Sequence, residues 1–89
     1  MITTYFIMVG GLYLSYVDGN DVYVMDGSGY STYDYIYGIE LDKKEKEALN
    51  PKQAKSVAKF LKDNGVENIR IIKMETPSVR RAEVSLEEL

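Results

Sequence analysis

The first third of the chain alternates apolar and polar residues in short runs that are typical of β-strands. Two β-rich runs, residues 4–9 and 12–17, are separated by Gly10 and Gly11. A Gly-Gly pair supplies the positive φ angles that a tight hairpin turn requires. The sequence therefore predicts a β-hairpin near the start of the chain.

Further turn signals and a long alternating run follow this hairpin. The segment "DGND" at 18–21 predicts a turn, the run at 22–25 predicts a strand, and "DGSG" at 26–29 predicts a second loop. Residues 30–41 then alternate with period two, which predicts a strand that places alternate side chains on one face. That face would hold Tyr33, Tyr35, Tyr37, Ile39 and Leu41. The simplest arrangement is an antiparallel meander of three or four strands.

The period changes after residue 42. Asp42 is followed three residues later by Glu45, a spacing that resembles a capping box, so residues 43–49 are predicted to form a short helix. A lysine-rich segment of this kind is compatible with an exposed helix surface. Its prediction rests on the capping signal alone.

The main helix is predicted to begin at Asn50, a good N-cap, with Pro51 in the first helical position. Gly65 is predicted to end it in a left-handed conformation. Residues 67–74 then predict a return strand, while 78–89 fit either a helix or a strand. One apolar stripe marks the buried side of the helix: Ala54, Val57, Ala58 and Leu61.

These elements predict an α+β fold, an antiparallel sheet of three to five strands with one main amphipathic helix packed on one face. Residues 1–77 are expected to form a single domain, with 78–89 as a C-terminal tail whose secondary structure the sequence does not decide. A single helix covers only one side of a sheet. The other sheet face is therefore predicted to lack a cover within the chain.

Composition restricts the chemistry of the protein. A chain of 89 residues corresponds to one domain, and this one contains no cysteine and no histidine. Disulfides, zinc sites of the usual type, thiol nucleophiles and histidine-based triads are thereby excluded. The segment "GSGYST" lacks the third glycine and following helix of a dinucleotide loop, and Val22 and Tyr23 break a calcium-loop pattern. We expect a protein that is not an enzyme and binds neither a cofactor nor a metal.

Residues 1–17 carry no charge, which raises the question of a leader or a membrane span. A signal peptide needs a basic first region, and a span needs about 20 strongly apolar residues. Because this stretch has neither, the sequence predicts no membrane association.

The net charge of −3 conceals a separation of charge along the chain. Residues 1–42 contain six acids, no Lys or Arg and all eight tyrosines, whereas residues 43–89 contain all eleven cations against eight acids. Acidic neighbours repel phosphate, so we expect these tyrosines not to bind nucleic acid directly. Tyr13 and Tyr16 are three residues apart in one predicted strand and would face opposite sides, so some tyrosines must be exposed.

Exposed tyrosines are typical anchors of protein interfaces, because they bury a large area at low entropic cost and keep a hydroxyl group for a partner. The alternative is that the tyrosines simply form part of the core, since tyrosine has a high β propensity. The predicted partner-binding residues are Asp26, Tyr30, Tyr33, Asp34, Tyr35 and Tyr37.

Two stretches carry a resemblance to known proteins: "TYFIMVGGLYLSYV" at 4–17 and "NPKQAKSVAKFLKDNGVENIRIIKM" at 50–74. A tyrosine-rich hairpin followed by a lysine-rich helix and a strand resembles small early-region proteins of phages that infect Gram-positive bacteria. Such proteins are similar in role to inhibitors of host machinery, among them anti-CRISPR proteins. The resemblance implies a role in the cytoplasm of a host bacterium and a host protein as the partner.

Two functional hypotheses follow. In the first, a phage-encoded inhibitor docks its acidic, tyrosine-rich face on a basic nucleic-acid-binding surface of a host protein, with carboxylates in the positions of phosphates. In the second, a structural or accessory phage protein forms a homodimer or larger oligomer through its tyrosine-bearing sheet face. A twofold interface would bring acids near their own copies unless the positive half of the chain crosses to meet them.

Overall fold

A computed structural model describes residues 2–23, 31–78 and 80–89, without the side chains of residues 22 and 23. The elements in chain order are β1 (Ile2–Val9), β2 (Leu12–Tyr23), β3 (Ser31–Asp42), α1 (Pro51–Asp63), β4 (Ile69–Thr76), β5 (Arg80–Val84) and a short 3-10 helix (Leu86–Glu88). The five described strands form one antiparallel sheet in the order β3-β2-β1-β4-β5. The predicted α+β fold with one helix on the sheet is confirmed.

The first hairpin turns at the two glycines, as predicted. Val9 of β1 pairs with Leu12 of β2, which leaves Gly10 and Gly11 as the connecting residues. Gly10 has a φ of 60°, in the left-handed region that favours glycine. The Gly-Gly signal therefore places the end of β1 and the start of β2 correctly.

Beyond this turn β1 and β2 separate, and residues 47–49 fill the fork between them. The backbone N–H of Tyr5 donates to the Leu49 carbonyl at 2.9 Å, and the Leu49 N–H donates to the Tyr5 carbonyl at 2.9 Å. On the other side, the N–H of Glu47 donates to the carbonyl of Leu14 at 2.9 Å. These bonds occupy backbone groups of both strands that would otherwise be left unpaired.

The predicted short helix at 43–49 is therefore wrong. Its capping signal is real, because the Asp42 carboxylate accepts the backbone N–H groups of Lys44 and Glu45, each at 2.7 Å. The chain then runs extended into the fork. Pairing with two strands satisfies the backbone of this segment, so the local helix signal is overridden by tertiary structure.

The turn predicted at 18–21 is also wrong, because β2 continues through this segment and pairs with β3. Gly19 lies opposite Ile36, and a Cβ atom at Gly19 would come within 2.5 Å of the Tyr35 carbonyl oxygen. The glycine is needed here for close approach of two strands and not for a chain reversal.

Register shifts in the β2–β3 ladder interrupt the expected alternation of β3. Ile36 is buried, and Tyr33 and Ile39 pack against the core beside it. Tyr35 and Tyr37 are exposed instead. The prediction that Tyr33, Tyr35 and Tyr37 share one face with Ile39 and Leu41 is therefore wrong, because each bulge adds a residue and reverses the facing of those that follow.

The helix follows its sequence signals closely. The Asn50 side chain accepts the Gln53 backbone N–H at 2.8 Å, and the Gln53 side chain accepts the Asn50 N–H at 3.1 Å, which completes a capping box. Gly65 ends the helix with a φ of 75°, as predicted. The buried residues of α1 are Ala54, Val57, Ala58 and Leu61, the predicted stripe. They pack against Tyr5, Ile7, Leu14, Val17, Ile36, Leu49 and Ile71, so the core lies on one side of the sheet.

At the C-terminus, residues 80–84 form the edge strand β5, antiparallel to β4. The sequence is compatible with a helix or a strand in this segment, and the structure shows a strand. Val84, Leu86 and Leu89 pack against the border of the core. In the part of the chain that the structure describes, α1 is too short and too polar to cross a membrane.

Candidate binding face

Among the described residues no helix or further strand packs on the sheet face opposite α1, and the strand register shows which side chains lie on it. Met8 pairs with Tyr13 on one side and Arg70 on the other, so these three share a face. Ile7, the neighbour of Met8, belongs to the core under α1. Because successive residues of a strand face opposite sides, Met8 and its partners lie on the open side. We call this side the uncovered face.

The same register continues across β2 and β3. Tyr13 pairs with Asp42 and Tyr16 pairs with Glu40, with a one-residue shift between Leu14 and Tyr16. Asp42 and Glu40 are two residues apart and share a side, so Tyr13 and Tyr16 do as well. The expectation that these two tyrosines face opposite sides is therefore wrong, and the bulge at the intervening residues is the cause.

The part of the uncovered face on β2 and β3 combines exposed tyrosines with acidic and amide groups. We call it the tyrosine half, and it consists of Tyr16, Asp18, Asn20, Tyr35, Tyr37 and Glu40. Its three tyrosines are 51%, 61% and 60% exposed, respectively. Large aromatic side chains with this much exposed area are unusual outside binding surfaces when they cluster.

Contacts within the tyrosine half hold two of its rings in place. The centroids of Tyr35 and Tyr37 are 5.1 Å apart, with their planes tilted by 56°. The Asn20 amide donates a hydrogen bond of 2.8 Å to the Tyr37 hydroxyl. A tilted aromatic pair of this spacing is a favourable geometry, so the rings are partly ordered before any partner binds.

The tyrosine half is acidic. Asp18 and Glu40 are exposed on it, and the chain has no Lys or Arg before residue 43. At its border, backbone N–H groups of Glu45 and Lys44 lower the pKa of the Asp42 carboxyl, so this group also stays ionised to low pH. The surface therefore offers carboxylates beside aromatic rings and complements a basic partner.

The predicted site residues are divided by the structure. Of the six predicted partner-binding residues, Tyr35 and Tyr37 lie together on the uncovered face. Tyr33 packs against the core, and burial, followed by the negative charges of Asp21 and Glu47, raises the pKa of its hydroxyl. Asp26 and Tyr30 lie outside the described residues.

Asp34 lies in a groove between β3 and α1 that Tyr35 also lines. Lys59 and Phe60 of the helix line the same groove. Asp63 of the helix lines it as well, so the groove holds both acidic and basic side chains. Asp34 is exposed and remains at the edge of the hairpin.

Sequence reasoning missed Tyr16, Asp18, Asn20 and Glu40. The signal was present, because Tyr16, Asp18 and Asn20 alternate with period two and so predict a shared strand face. Interpreting residues 18–21 as a turn concealed this pattern. A glycine inside a strand also marks close backbone approach, and that alternative would have kept β2 continuous.

The remainder of the uncovered face, on β1, β4 and β5, is apolar with a cationic border. We call it the basic half. Its floor is formed by Phe6, Met8, Ile72 and, from the start of β2, Tyr13, and its border by Lys46, Arg70, Arg81 and Glu83, around a shallow cavity of about 420 Å³. The Lys46 ammonium lies 5.5 Å from the centroid of the Phe6 ring and 4.8 Å from that of Tyr13. Arg70 also donates to the Glu83 carboxylate at 3.1 Å.

Among residues 2–21, 31–78 and 80–89, no group of three or more acidic side chains is arranged to hold a metal ion. Aromatic rings, an amide and carboxylates on an open sheet are suited to contact with another macromolecule. Comparison of the chain with protein-family models, curated proteins and solved structures gave no match in any of the three.

Proposed function

We propose that the chain is a non-catalytic binding protein that docks its tyrosine half on a basic surface of another protein. One observation carries this proposal: Tyr35 and Tyr37 stand exposed and in mutual contact, beside carboxylates, on a sheet face that α1 leaves open. An isolated exposed tyrosine would need no explanation. A preorganised pair of exposed aromatic rings is the composition expected at the centre of an interface, and the carboxylates beside it fit the polar rim.

The two kinds of side chain have different roles in this mechanism. Asp18 and Glu40 attract a basic surface over long range, which speeds encounter and sets the dependence of the rate on salt. The rings of Tyr35 and Tyr37 lose their water only in the bound complex, which slows dissociation. Because the Tyr37 hydroxyl already accepts a hydrogen bond from Asn20, this ring loses less freedom on binding.

In its finer form, the proposal is that the chain is a phage-encoded inhibitor acting in the host cytoplasm. Its carboxylates would occupy the phosphate positions on a host protein that binds nucleic acid, as anti-CRISPR proteins do. The acidic charge of residues 1–42 and the resemblance to phage early-region proteins support this form. The partner's surface would then be unable to hold nucleic acid and this chain at the same time.

The test is capture of partners from a Gram-positive host lysate by the immobilised protein, followed by competition with nucleic acid. We expect to capture a basic protein that high salt releases from the immobilised chain. The nucleic acid that this partner binds should release it as well. The double variant Tyr35→Ala, Tyr37→Ala should lose it, whereas Lys55→Ala on the exposed side of α1 should retain it. Equal capture by the wild type and the tyrosine variant would contradict the proposal.

A further inference from the structure

The uncovered face is charged oppositely at its two ends, and this property has a geometric consequence. The tyrosine half carries the carboxylates of Asp18 and Glu40. The basic half carries Lys46, Arg70 and Arg81 against one carboxylate, that of Glu83, which is paired with Arg70. Both halves lie on the same side of one sheet, as the register shows. The separation of charge along the sequence is thus also a separation across one surface.

We propose that a second copy of this chain covers the uncovered face in a twofold dimer. A twofold axis that lies between the two sheets and runs parallel to their strands places the tyrosine half of each copy against the basic half of the other. A twofold interface must keep the acidic residues of the two copies apart. This arrangement does so, because each carboxylate faces cations of the other copy. The contact is made twice and closes, so no further copies can add.

The chemistry of the two halves is complementary beyond net charge. Met8, Tyr13 and Ile72 are partly exposed beside the buried Phe6, and the exposed rings of Tyr35 and Tyr37 of the second copy can bury area on them. Lys46 already lies over the ring of Tyr13. The same ammonium can therefore contact an incoming tyrosine ring or a carboxylate with little rearrangement.

The size of the face is adequate for a dimer. Five strands at a spacing of about 4.8 Å are roughly 24 Å wide, and four cross-strand rows of about 7 Å give roughly 650 Å² of projected area. Stable interfaces bury about 800 Å² per partner. A twofold contact that uses most of the face is of this order, whereas either half alone is too small.

A second copy fits the face better than an extended peptide or a nucleic acid strand. The central strands β1 and β4 already have neighbours on both sides, so a peptide lying on this face could not be held through its backbone. Nucleic acid would be attracted to the basic half but repelled by the adjoining tyrosine half. The second copy complements both halves at once. The inference shares the docking chemistry of the proposed function, and it supplies the occupant of the face when no other partner is present.

The test is sedimentation velocity of three variants whose charges are reversed in pairs. The first is Lys46→Glu with Arg81→Glu, the second is Asp18→Lys with Glu40→Lys, and the control is Lys55→Glu with Lys59→Glu on α1. We expect the wild type and the control to sediment at low salt as a species of about twice the 10.1 kDa chain mass. Each of the first two variants should raise the dissociation constant at least about tenfold.

Mixing the first two variants provides the decisive measurement. In a mixed dimer every reversed half again faces its opposite charge, so we expect an equimolar mixture to recover the dimer that each variant lacks alone. Thermal unfolding of each variant by circular dichroism shows that loss of the dimer is not loss of the fold.

A wild type that is monomeric at high micromolar concentration and low salt would overturn the inference, as would assembly beyond the dimer. Loss of the dimer in the control to the same extent, or failure of the mixture to recover it, would also overturn it. Tight binding of a single-stranded oligonucleotide that the first variant abolishes, with no self-association, would assign the face to nucleic acid instead. A monomeric wild type that still captures a basic protein through Tyr35 would leave the proposed function intact, so the two failures are distinguishable.

Discussion

Replacing Gly19 by alanine should destabilise the β2–β3 hairpin on which the tyrosine half is built. A Cβ atom at this position would lie 2.5 Å from the Tyr35 carbonyl oxygen and 3.3 Å from the Ile36 Cα. Side-chain carbons do not approach other atoms within 3.0 Å, so the two strands must separate by several tenths of an ångström. Such overpacking costs about 1–3 kcal/mol. The lower entropy of the unfolded chain with alanine returns about 0.4–1 kcal/mol.

The net expectation is a loss of about 1–2 kcal/mol in the free energy of unfolding. With an unfolding entropy of about 2.1 cal/mol/K per residue, a chain of 89 residues should lose about 5–10 °C in Tm. Gly38→Ala is the matched control, because a Cβ atom there would meet nothing within 4 Å. It should leave Tm unchanged or raise it. Thermal unfolding by circular dichroism measures both, and equal shifts for the two variants would refute the close-approach argument.

Three further predictions concern the helix, the core and the alkaline range. Asn50→Ala removes the side-chain oxygen that accepts the Gln53 backbone N–H and should cost about 1 kcal/mol, measured as a lower midpoint of urea unfolding. Ser56→Ala, which removes a hydroxyl bond to the Lys52 carbonyl, should cost less. Leu61→Ala empties a fully buried position and should cost about 2–5 kcal/mol of unfolding free energy. A loss of this size is enough to unfold much of a small domain, which circular dichroism would show. An unfolding midpoint like that of the wild type would contradict the assigned core. The pKa of the Tyr33 hydroxyl is raised in the folded chain, so its contribution to stability is complete below the ordinary tyrosine pKa and is lost as pH rises through the folded value. The unfolding free energy of Tyr33→Phe should accordingly fall less at alkaline pH than that of the wild type, and identical pH profiles would count against it.

Local sequence signals predict the elements whose backbone hydrogen bonds form within a single segment. The capping box at Asn50, the apolar stripe of α1 and the left-handed Gly65 are all read within one helical segment, and the structure confirms them. The Gly-Gly hairpin is equally local. The antiparallel sheet and its single covering helix follow from these elements, because an amphipathic helix must bury its stripe on a neighbouring surface.

The errors arose where distant residues decide the structure. Residues 43–49 carry a helix signal, but Tyr5 and Leu14 offer unpaired backbone groups that an extended chain satisfies better. The segment at 18–21 has turn residues, yet its glycine allows Tyr35 to approach from another strand. No periodicity within one segment reveals such long-range partners.

The sequence predicts only part of the candidate site, because this site too depends on residues that are distant in the chain. The sequence predicts Tyr35 and Tyr37 as partner-binding residues, and the structure places their exposed rings in mutual contact on the uncovered face. Tyr33 was grouped with them because a strict alternation was assumed, and a bulge turns it toward the core. The basic half depends on cations that come from β4, β5 and the fork segment, which only the sheet order brings together.

The most direct test of the central claim is to measure association and dissociation rates of the captured partner at several salt concentrations. Docking through the tyrosine half predicts that Asp18→Asn with Glu40→Gln slows association and weakens its dependence on salt, because only long-range attraction is lost. Tyr35→Ala should leave association nearly unchanged and accelerate dissociation, because a desolvated anchor is lost. Rates that none of these substitutions alters would contradict the claim that this face binds the partner.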